Sequence, residues 1–166
     1  MAKPILDAHA VRELLDYDPE TGCLTWRTLR NGVRRSGVAG HLAIDGYVMI
    51  RVRSRMYRAH RLAWLHYYGD WPSLHVDHVD GNRSNNAITN LREASHSQNL
   101  QNRGMNKRNS SGYKGVSWHK GNKLWKATIG ANGSYRCLGY FKDPKDAHAA
   151  YIRAAMELHG VFTNAG

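Results

Sequence analysis

The sequence has little cysteine and no long hydrophobic run. Cys23 and Cys137 are the two cysteines among 166 residues, which excludes a disulfide framework and a zinc knuckle built from cysteines. No apolar run approaches the roughly 18 residues that a membrane-spanning helix needs, and the first residues lack the apolar segment of a signal peptide. We therefore expect a cytoplasmic protein that does not bind membranes.

Acidic residues are scarce as well. The chain has 13 Asp and Glu against 24 Lys and Arg, and its formal net charge is +11. Residues 27–61 contain nine Arg and one acidic residue, whereas residues 103–142 contain nine Lys or Arg and no acidic residue. Such a charge balance is typical of proteins that bind a polyanion. Because the positive charge is gathered in two segments, we expect two contact surfaces.

Short periodic segments in the N-terminal part of the chain predict helices and strands. Residues 8–15 favour a helix, and residues 23–27 favour a brief strand. A second helix is predicted over residues 59–68, where Gly69 supplies the ending.

Residues 46–53 alternate between apolar and polar side chains, which is the period of a half-buried strand. The alternation places aliphatic side chains on one face and arginines on the other, namely Val48, Ile50 and Val52 against Arg51 and Arg53. An outer face that carries arginines can lie along a phosphate backbone. Arg51 and Arg53 are therefore candidate contacts to a nucleic acid.

A polar stretch over residues 74–102 holds the clearest chemistry. It gathers two Asp, three His and six Asn around one Gly. Its first part predicts a strand through Asp77 and His78, which can share a site if the strand ends or bends between them. The segment NLREAS predicts a return strand, after which Ser95 can cap a helix that carries Asn99. A carboxylate and a carboxamide can bind a hard divalent cation, and a neutral His can take a proton from water.

This stretch resembles a known family. His78, Asn90 and Asn99, with Asp77 just ahead, resemble the motif of HNH homing endonucleases. The segments AHRLAW, DHVDGNRSNN and NLREASHSQN resemble the phage and intron branch of that family, over about residues 17–102. The resemblance implies a ββα-metal fold and a nuclease that cuts double-stranded DNA. It implies that Asp77 and Asn99 hold one divalent metal ion. It also implies that His78 is the general base, and that Asn90 ties down the loop and orients His78.

The last motif position holds Asn99 rather than His, as the phage and intron branch of the family also shows. This difference favours Mg²⁺ or Mn²⁺ over Zn²⁺ as the cofactor. Two further histidines can line the site, since His75 shares the strand parity of Asp77 and His96 lies one helical turn before Asn99. For His60 we expect packing or a phosphate contact.

Other interpretations of the stretch stay open. An Asp-His pair at a strand end is commonly surface decoration, and Asn-rich loops commonly make turns and nothing more. A DNA-binding regulator with an inactive nuclease module would share the charge and the motif. An RNA-binding protein of the ribosomal type would share the charge without needing Asp77 and Asn99.

The C-terminal segments predict a second module. Residues 103–112 are polar, basic and without periodicity, which indicates a linker. Three short runs rich in Val, Trp, Tyr and Ile then predict a three-stranded antiparallel meander. Asp143 and Pro144 favour a helix start, and Gly160 favours its end. Helical spacing predicts a face that packs on the sheet, made of Ala147, Ala150, Tyr151, Ala154 and Leu158. The opposite face of the sheet should then present Lys, Arg and Trp side chains.

Residues from about Ser111 to Phe162 resemble the APETALA-type DNA-binding domain of plant ethylene-response factors. In that family a three-stranded sheet enters the major groove of DNA. Carried over through YKGV, LWKATI and YRCLGYF, the resemblance implies DNA contacts by Lys114, Trp118, Lys126 and Arg136. Whether Trp125 contacts DNA or packs in the core stays open. Ser117 stands where plant members carry Arg, so the plant sequence preference is not carried over.

Together these patterns predict an α+β protein with two domains. Residues 1–102 form the HNH nuclease domain, residues 103–112 the linker, and residues 113–166 the sheet-and-helix domain. We expect a monomer that acts on double-stranded DNA and is encoded by a phage or mobile element.

Overall fold

The computed structural model describes residues 6–27, 37–102, 104–106, 109–131, 133–160 and 163. Residues 28–36, which carry three arginines of the first basic segment, lie outside the described residues. So do Arg103, Lys107 and Arg108 of the predicted linker.

The chain divides into two compact units, Met1–Ala94 and Ser95–Gly166. Both units combine helices with small antiparallel sheets, which confirms the predicted α+β class. The functional limits at residues 1–102, 103–112 and 113–166 stay a prediction. Within the described part of the chain, no helix is long and apolar enough to cross a membrane.

Short helices and three antiparallel sheets make up the described part of the first unit. Its elements are α1 (Ala8–Leu14), β1 (Leu15–Tyr17), β2 (Leu24–Trp26), β3 (His41–Leu42), β4 (Val48–Val52), β5 (Arg55–Arg58), α2 (Ala59–Tyr68), β6 (His75–His78) and β7 (Leu91–Ala94). The strands pair as β1-β2, β3-β4-β5 and β6-β7. A 3₁₀ turn at Ile88–Asn90 leads into β7.

The first unit is held together by aliphatic side chains from α1, β1, β4 and α2. Leu15, Ile50, Leu62 and Leu65 are almost completely buried in one cluster. Burying such a side chain contributes roughly 1.5–3 kcal/mol each. α2 ends where predicted, because Gly69 adopts φ 91° and its N–H donates to the carbonyl oxygen of Leu65.

The alternation predicted for β4 is confirmed, with one exception. Ile50 and Val52 are buried while Arg51 is exposed. Arg53 does not continue the outer face of the strand, so that prediction is wrong. Arg53 and Ser54 instead form a two-residue hairpin turn with φ values of 47° and 67°, and β5 begins directly after it. Arg53 is exposed at the tip of this hairpin.

The second unit contains one sheet and two helices among its described residues. Its elements are α3 (His96–Asn102), β8 (Val116–His119), β9 (Leu124–Ala131), β10 (Ser134–Phe141) and α4 (Pro144–His159). The sheet is antiparallel in the order β10-β9-β8, which confirms the predicted meander. The two helices start at capping residues. Ser95 and Gln98 bond reciprocally in a capping box at α3, and the Asp143 carboxylate accepts from the N–H of Lys145 at α4.

α4 packs on one face of this sheet through small residues and Tyr151. Ala147, Tyr151 and Ala154 are buried as predicted, and Ala150 is half-buried. The prediction for Leu158 is wrong, since this side chain is 45% exposed while His159 is buried. Because a helix has 3.6 residues per turn, residues four apart lie on nearly the same face. The buried face therefore continues from Tyr151 to His159, and Leu158 lies beside it, exposed to solvent.

Candidate active site

The polar stretch folds as the predicted strand, loop and return strand. Within the β6-β7 hairpin, Asp77 lies opposite Arg92 and His78 lies opposite Leu91. Asp77 and His78 are 7% and 3% exposed, so neither is surface decoration. β6 runs through His78 and the chain turns after it, so the strand does not end between the two residues. Adjacent residues of a strand point their side chains to opposite faces, so the side chains of Asp77 and His78 leave the strand in opposite directions.

Asp77 is bound by a residue that sequence reasoning missed. Arg92 donates from Nε and Nη2 to Oδ2 of Asp77, at 3.1 and 3.0 Å. The two residues are direct cross-strand partners, so their side chains share a face of the hairpin. The sequence shows an arginine in the predicted return strand. Only the register of the two strands shows that this arginine lies opposite Asp77.

The donors predicted for a metal ion fit a hard divalent cation, because a carboxylate and a carboxamide both offer oxygen. Asp77 is in the first unit, whereas Asn99 lies half-buried on α3 of the second. Their joint action as ligands therefore stays a prediction. Across the described ranges, no three His, Cys, Asp or Glu side chains gather into a group that could hold a metal ion.

Asn90 ties down the loop between β6 and β7. Its Nδ2 donates to Oδ1 of Asp80 at 2.9 Å and to the carbonyl oxygen of Asn85 at 2.8 Å, and its Oδ1 accepts from the N–H of Asp80 at 3.0 Å. Burial raises the pKa of Asp80, but hydrogen bonds from Asn85 and Asn90 outweigh that effect and leave the pKa below its ordinary value. The tether that the resemblance implied is thus present, while its catalytic role stays a prediction.

In this loop the side chain of Asn86 contacts the imidazole of His78. Nε2 of His78 lies 3.2 Å from Oδ1 of Asn86, which is itself 3% exposed. The backbone carbonyl of Asn90 accepts from the N–H of Val79, the residue that follows His78. Asn86 is one of six Asn in the stretch, and nothing in the sequence distinguishes it from the others.

Two aromatic rings surround the imidazole of His78. The ring of His60 meets it edge-on, with centroids 5.0 Å apart, and the ring of Tyr47 lies 6.0 Å from it. Of the two roles predicted for His60, packing is the one observed. The pKa of His60 is lowered to about 3, chiefly by burial and in addition by the neighbouring His78, Arg58 and Arg61.

His78 is neutral near physiological pH for the same reason. Burial lowers its pKa below the ordinary value, against the opposing hydrogen bond with Asn86 and the charges of Asp80 and Asp77. A neutral imidazole can accept a proton, which is the requirement for a general base.

Two exposed arginines gather at Tyr47, next to the histidines. Cζ of Arg58 lies 4.1 Å from the centroid of the Tyr47 ring, and Cζ of Arg83 lies 4.9 Å from it. Nη1 of Arg83 also donates to the carbonyl oxygen of Asp45 at 2.8 Å. Sequence reasoning chose Arg51 and Arg53 instead, although Arg83 stands inside the motif segment DGNRSNN and was available as a signal.

The two open histidines have exposed positions. His75 begins β6 opposite Ala94, and His96 is in the first turn of α3. Their roles stay open.

The DNA contacts predicted in the second unit lie on different faces of its sheet. Lys126 is paired with Ser117 and Tyr140, on the face that α4 does not cover. Trp118 is paired with Trp125, and their rings meet 5.0 Å apart.

Trp125 packs against the cluster beneath α4 and is half-buried, so it belongs to the core. Opposed residues share a face, which places Trp118 on the covered side at its exposed margin. The face predicted for Trp118 is therefore wrong.

Arg136 is also on the covered side. It is paired with Ile129, which packs against α4, and a register shift between Cys137 and Gly139 separates it from Tyr140. The extra residue, Leu138, packs into the core. Without this bulge Arg136 would share a face with Tyr140.

Lys114 is half-buried in the turn before β8. Its Nζ donates to the carbonyl oxygen of Gln101 at 3.0 Å, and burial lowers its pKa. Its own carbonyl oxygen lies 3.1 Å from Nδ1 of His148 on α4. These contacts indicate a structural part for Lys114. Whether Lys114, Trp118, Lys126 or Arg136 binds DNA stays a prediction.

Comparison with known proteins bears on the first unit most directly. A family model described as HNH endonuclease matches residues 57–101. Protein 3.8 of Escherichia phage T7 is 37% identical over 106 residues, which are 63% of this chain and 87% of that protein.

A solved structure titled DNA binding and cleavage by the HNH homing endonuclease I-HmuI is also similar. It is 27% identical, with a TM-score of 0.42 over 58% of this chain and 55% of its own. The chain thus spans about half the length of that protein.

The HNH match includes β6, β7 and the whole loop tied by Asn90. The phage relative is covered over most of its length at an identity well above chance. The chain therefore belongs to the HNH endonuclease family.

Proposed function

We propose that this chain is a metal-dependent endonuclease that hydrolyses phosphodiester bonds in double-stranded DNA. The observation that carries the proposal is His78, a buried and neutral imidazole at the end of β6 whose Nε2 lies against the Asn86 amide. Asp77 directly precedes it, and basic residues lie around it. A base beside a carboxylate and cationic side chains is the set of groups that phosphodiester hydrolysis needs.

In this proposal His78 removes a proton from the water that attacks the phosphorus atom. Positioned general bases contribute roughly 100- to 10,000-fold to rates. Asp77 and Asn99 hold one divalent cation, Mg²⁺ or Mn²⁺, through carboxylate and carboxamide oxygens. When bound, that cation supplies positive charge next to the phosphate. Asn90 keeps the loop after β6 in one conformation through its bonds with Asp80.

Arg58 and Arg83 are proposed to hold the phosphate backbone close to His78. Both guanidinium groups are exposed, and both are oriented by the ring of Tyr47, which also contacts the imidazole of His78. Guanidinium groups bind phosphate oxygens through paired N–H donors.

The second unit is proposed to anchor the duplex through its APETALA-type sheet. Lys126 lies on the face that α4 leaves uncovered, where a sheet can approach DNA. The net charge of +11 supports a nucleic acid partner for the whole chain.

A DNA-binding regulator with an inactive nuclease module is the second candidate. The ion pair between Arg92 and Asp77 favours it, because a guanidinium on the carboxylate competes with a cation. The two candidates differ in whether DNA is cut and not in whether it is bound.

A cleavage assay separates them. The purified full chain is incubated with supercoiled plasmid in Mg²⁺ or Mn²⁺, and duplex binding is measured in parallel. A nuclease nicks or linearises the plasmid, and Asp77→Ala abolishes cutting while it keeps or raises DNA affinity, since one negative charge near phosphate is removed. Binding without cutting by the wild type in either metal would leave the regulator. Equal cutting by wild type and Asp77→Ala would remove Asp77 from the site.

A further inference from the structure

We propose that the turn between β3 and β4 carries an apolar wedge, Ile44, which enters the minor groove of duplex DNA and opens one base step. The inference rests on the duplex partner of the proposed function. It does not depend on cleavage.

The turn presents Ile44 at its tip. Ile44 and Asp45 lie between Ala43 and Gly46, and the N–H of Gly46 donates to the carbonyl oxygen of Ala43 at 2.9 Å. The N–H of Ala43 donates in turn to the carbonyl oxygen of Tyr47 at 2.8 Å. Gly46 adopts φ 86°, the left-handed conformation that follows the turn in hairpins of this kind. The backbone of Ile44 is therefore held in place, while its side chain is fully exposed.

Aliphatic side chains surround a shallow hollow at this hairpin. Leu42 at the end of β3 is 65% exposed, and it lines the hollow together with Ile44 and the half-buried Met49. Turns favour Gly, Pro, Asn, Asp and Ser, so the chemistry of the turn does not account for an isoleucine at its tip. Exposed apolar patches mark surfaces that a partner covers. The hollow thus indicates a contact surface.

The charge around the hollow indicates an anionic partner. Arg58 lines the hollow, and its Nη2 lies 3.9 Å from Oδ2 of Asp45. Nη1 of Arg83 donates to the carbonyl oxygen of Asp45 at 2.8 Å. Asp45, the acidic residue that lines the hollow, is thus paired with arginine. Duplex DNA fits both features, because its grooves present phosphates at the edges and the flat, apolar faces of stacked bases between them.

Proteins that bend DNA combine an apolar wedge with basic side chains. They insert Ile, Leu, Met or Phe between two base pairs from the minor groove, and the duplex kinks by roughly 20–90°. Ile44 directly precedes Asp45, which both Arg58 and Arg83 contact, so the wedge and the two arginines belong to one surface.

The opened step is expected close to the proposed base. The ring of Tyr47, on which both arginines lie, also contacts the imidazole of His78. Flexible steps such as TA and CA open most easily, so the wedge should favour them. Ile44 would therefore contribute to the choice of site through the deformability of the duplex.

The test uses the topology of a closed plasmid and needs no recognition sequence. The full chain is bound to relaxed plasmid in EDTA, which prevents metal-dependent cutting. A metal-independent topoisomerase I then relaxes the complex, the protein is removed, and the topoisomers are resolved on a gel. An opened step is unwound, so the wild type should leave negatively supercoiled plasmid, with a shift that grows with the amount of protein bound.

Variants separate the wedge from the charge. Ile44→Asn keeps a residue that turns favour and removes the apolar side chain, so it should lose most of the topoisomer shift. The salt slope of its duplex affinity should stay, because that slope counts phosphate contacts. Ile44→Leu should keep the shift. Leu74→Asn, at an exposed aliphatic residue before β6, is the matched control and should keep the shift as well.

The outcomes distinguish this inference from the proposed function. No shift with the wild type, or a full shift with Ile44→Asn at equal occupancy, overturns the wedge whether or not the chain cuts DNA. A wild-type dimer that Ile44→Asn dissociates with unchanged unwinding also overturns it, since the hollow then seats a second copy. A shift that depends on Ile44, in a chain that cuts no DNA in Mg²⁺ or Mn²⁺, supports the wedge and refutes the nuclease. Absence of duplex binding overturns both.

Discussion

The polar residues of the loop after β6 in the first unit and those on the uncovered sheet face of the second unit differ in exposure. In the first unit His78, Asn86 and Asn90 are buried, and each makes a short polar contact within one loop. In the second unit the uncovered face of the sheet carries exposed Tyr135 and Tyr140. Buried polar groups hold one geometry because losing a partner is costly, whereas exposed groups can change partners. The first arrangement suits chemistry, and the second suits binding.

The largest expected effect comes from removing His78, the proposed base. His78→Ala should lower cleavage by roughly 100- to 10,000-fold and leave duplex binding within a few-fold of wild type. The reason is that the imidazole lies behind the arginines that we expect to hold phosphate. Cleavage rate and fluorescence-based DNA affinity measure the two effects separately. His9→Ala, an exposed histidine on α1, is the matched control, and a similar loss there would contradict the assignment.

The buried histidines should also make the stability of the chain depend on pH. His60 has a folded-state pKa of about 3 against an ordinary value of 6.5. Between these values the unfolded chain binds the extra proton, so the free energy of unfolding falls as pH drops, by about 1.4 kcal/mol per unit. From pH 6.5 to about pH 5 the loss from His60 is about 2 kcal/mol.

His60→Leu should remove this part of the slope. His66 and His78, whose pKa values burial also lowers, keep a remaining dependence in the same direction. Urea unfolding of both proteins across this range measures the difference. Parallel slopes for wild type and variant would show that His60 is protonated in the folded chain.

Loss of the arginines at Tyr47 should weaken binding by a smaller factor. Arg58→Ala with Arg83→Ala should reduce duplex affinity about 10-fold and lower the salt slope by about two, because two phosphate contacts release their counterions. Titration at several salt concentrations gives this slope. Arg153→Ala, at an exposed arginine on α4, controls for the loss of one charge in each single variant, and an equal effect there would indicate long-range attraction alone.

The smallest effects test the faces of the C-terminal sheet. Lys126→Ala should weaken all duplex sequences alike and lower the salt slope by about one. Arg136→Ala should cost less affinity than Lys126→Ala, because its register position is on the side that α4 covers. If Arg136 instead reads a guanine, its loss relaxes one position of the site by roughly 1–3 kcal/mol. That result would place the DNA at the covered margin of the sheet.

Local elements were predictable where periodicity and capping agree. α2, the β6-β7 hairpin and the three-stranded sheet follow from apolar spacing, turn residues and caps that act over a few residues. Asp77, His78 and Asn90 could be selected because their motif spacing is local as well. Leu158 shows where such prediction fails. Spacing alone does not determine which of two neighbouring residues, Leu158 or His159, is buried at the end of the helix.

The sequence by itself determined which residues are candidates for the chemistry: an Asp-His pair, the Asn that ties its loop, and two basic segments. Tertiary structure decided which partners they meet. Arg92 reaches Asp77 through strand register, Asn86 reaches His78 through a loop held by Tyr17, and Arg136 changes face at a bulge. The reason is physical, because propensity and periodicity act over a few neighbouring residues. Register, bulges and loop contacts instead depend on packing between segments that are distant in the chain.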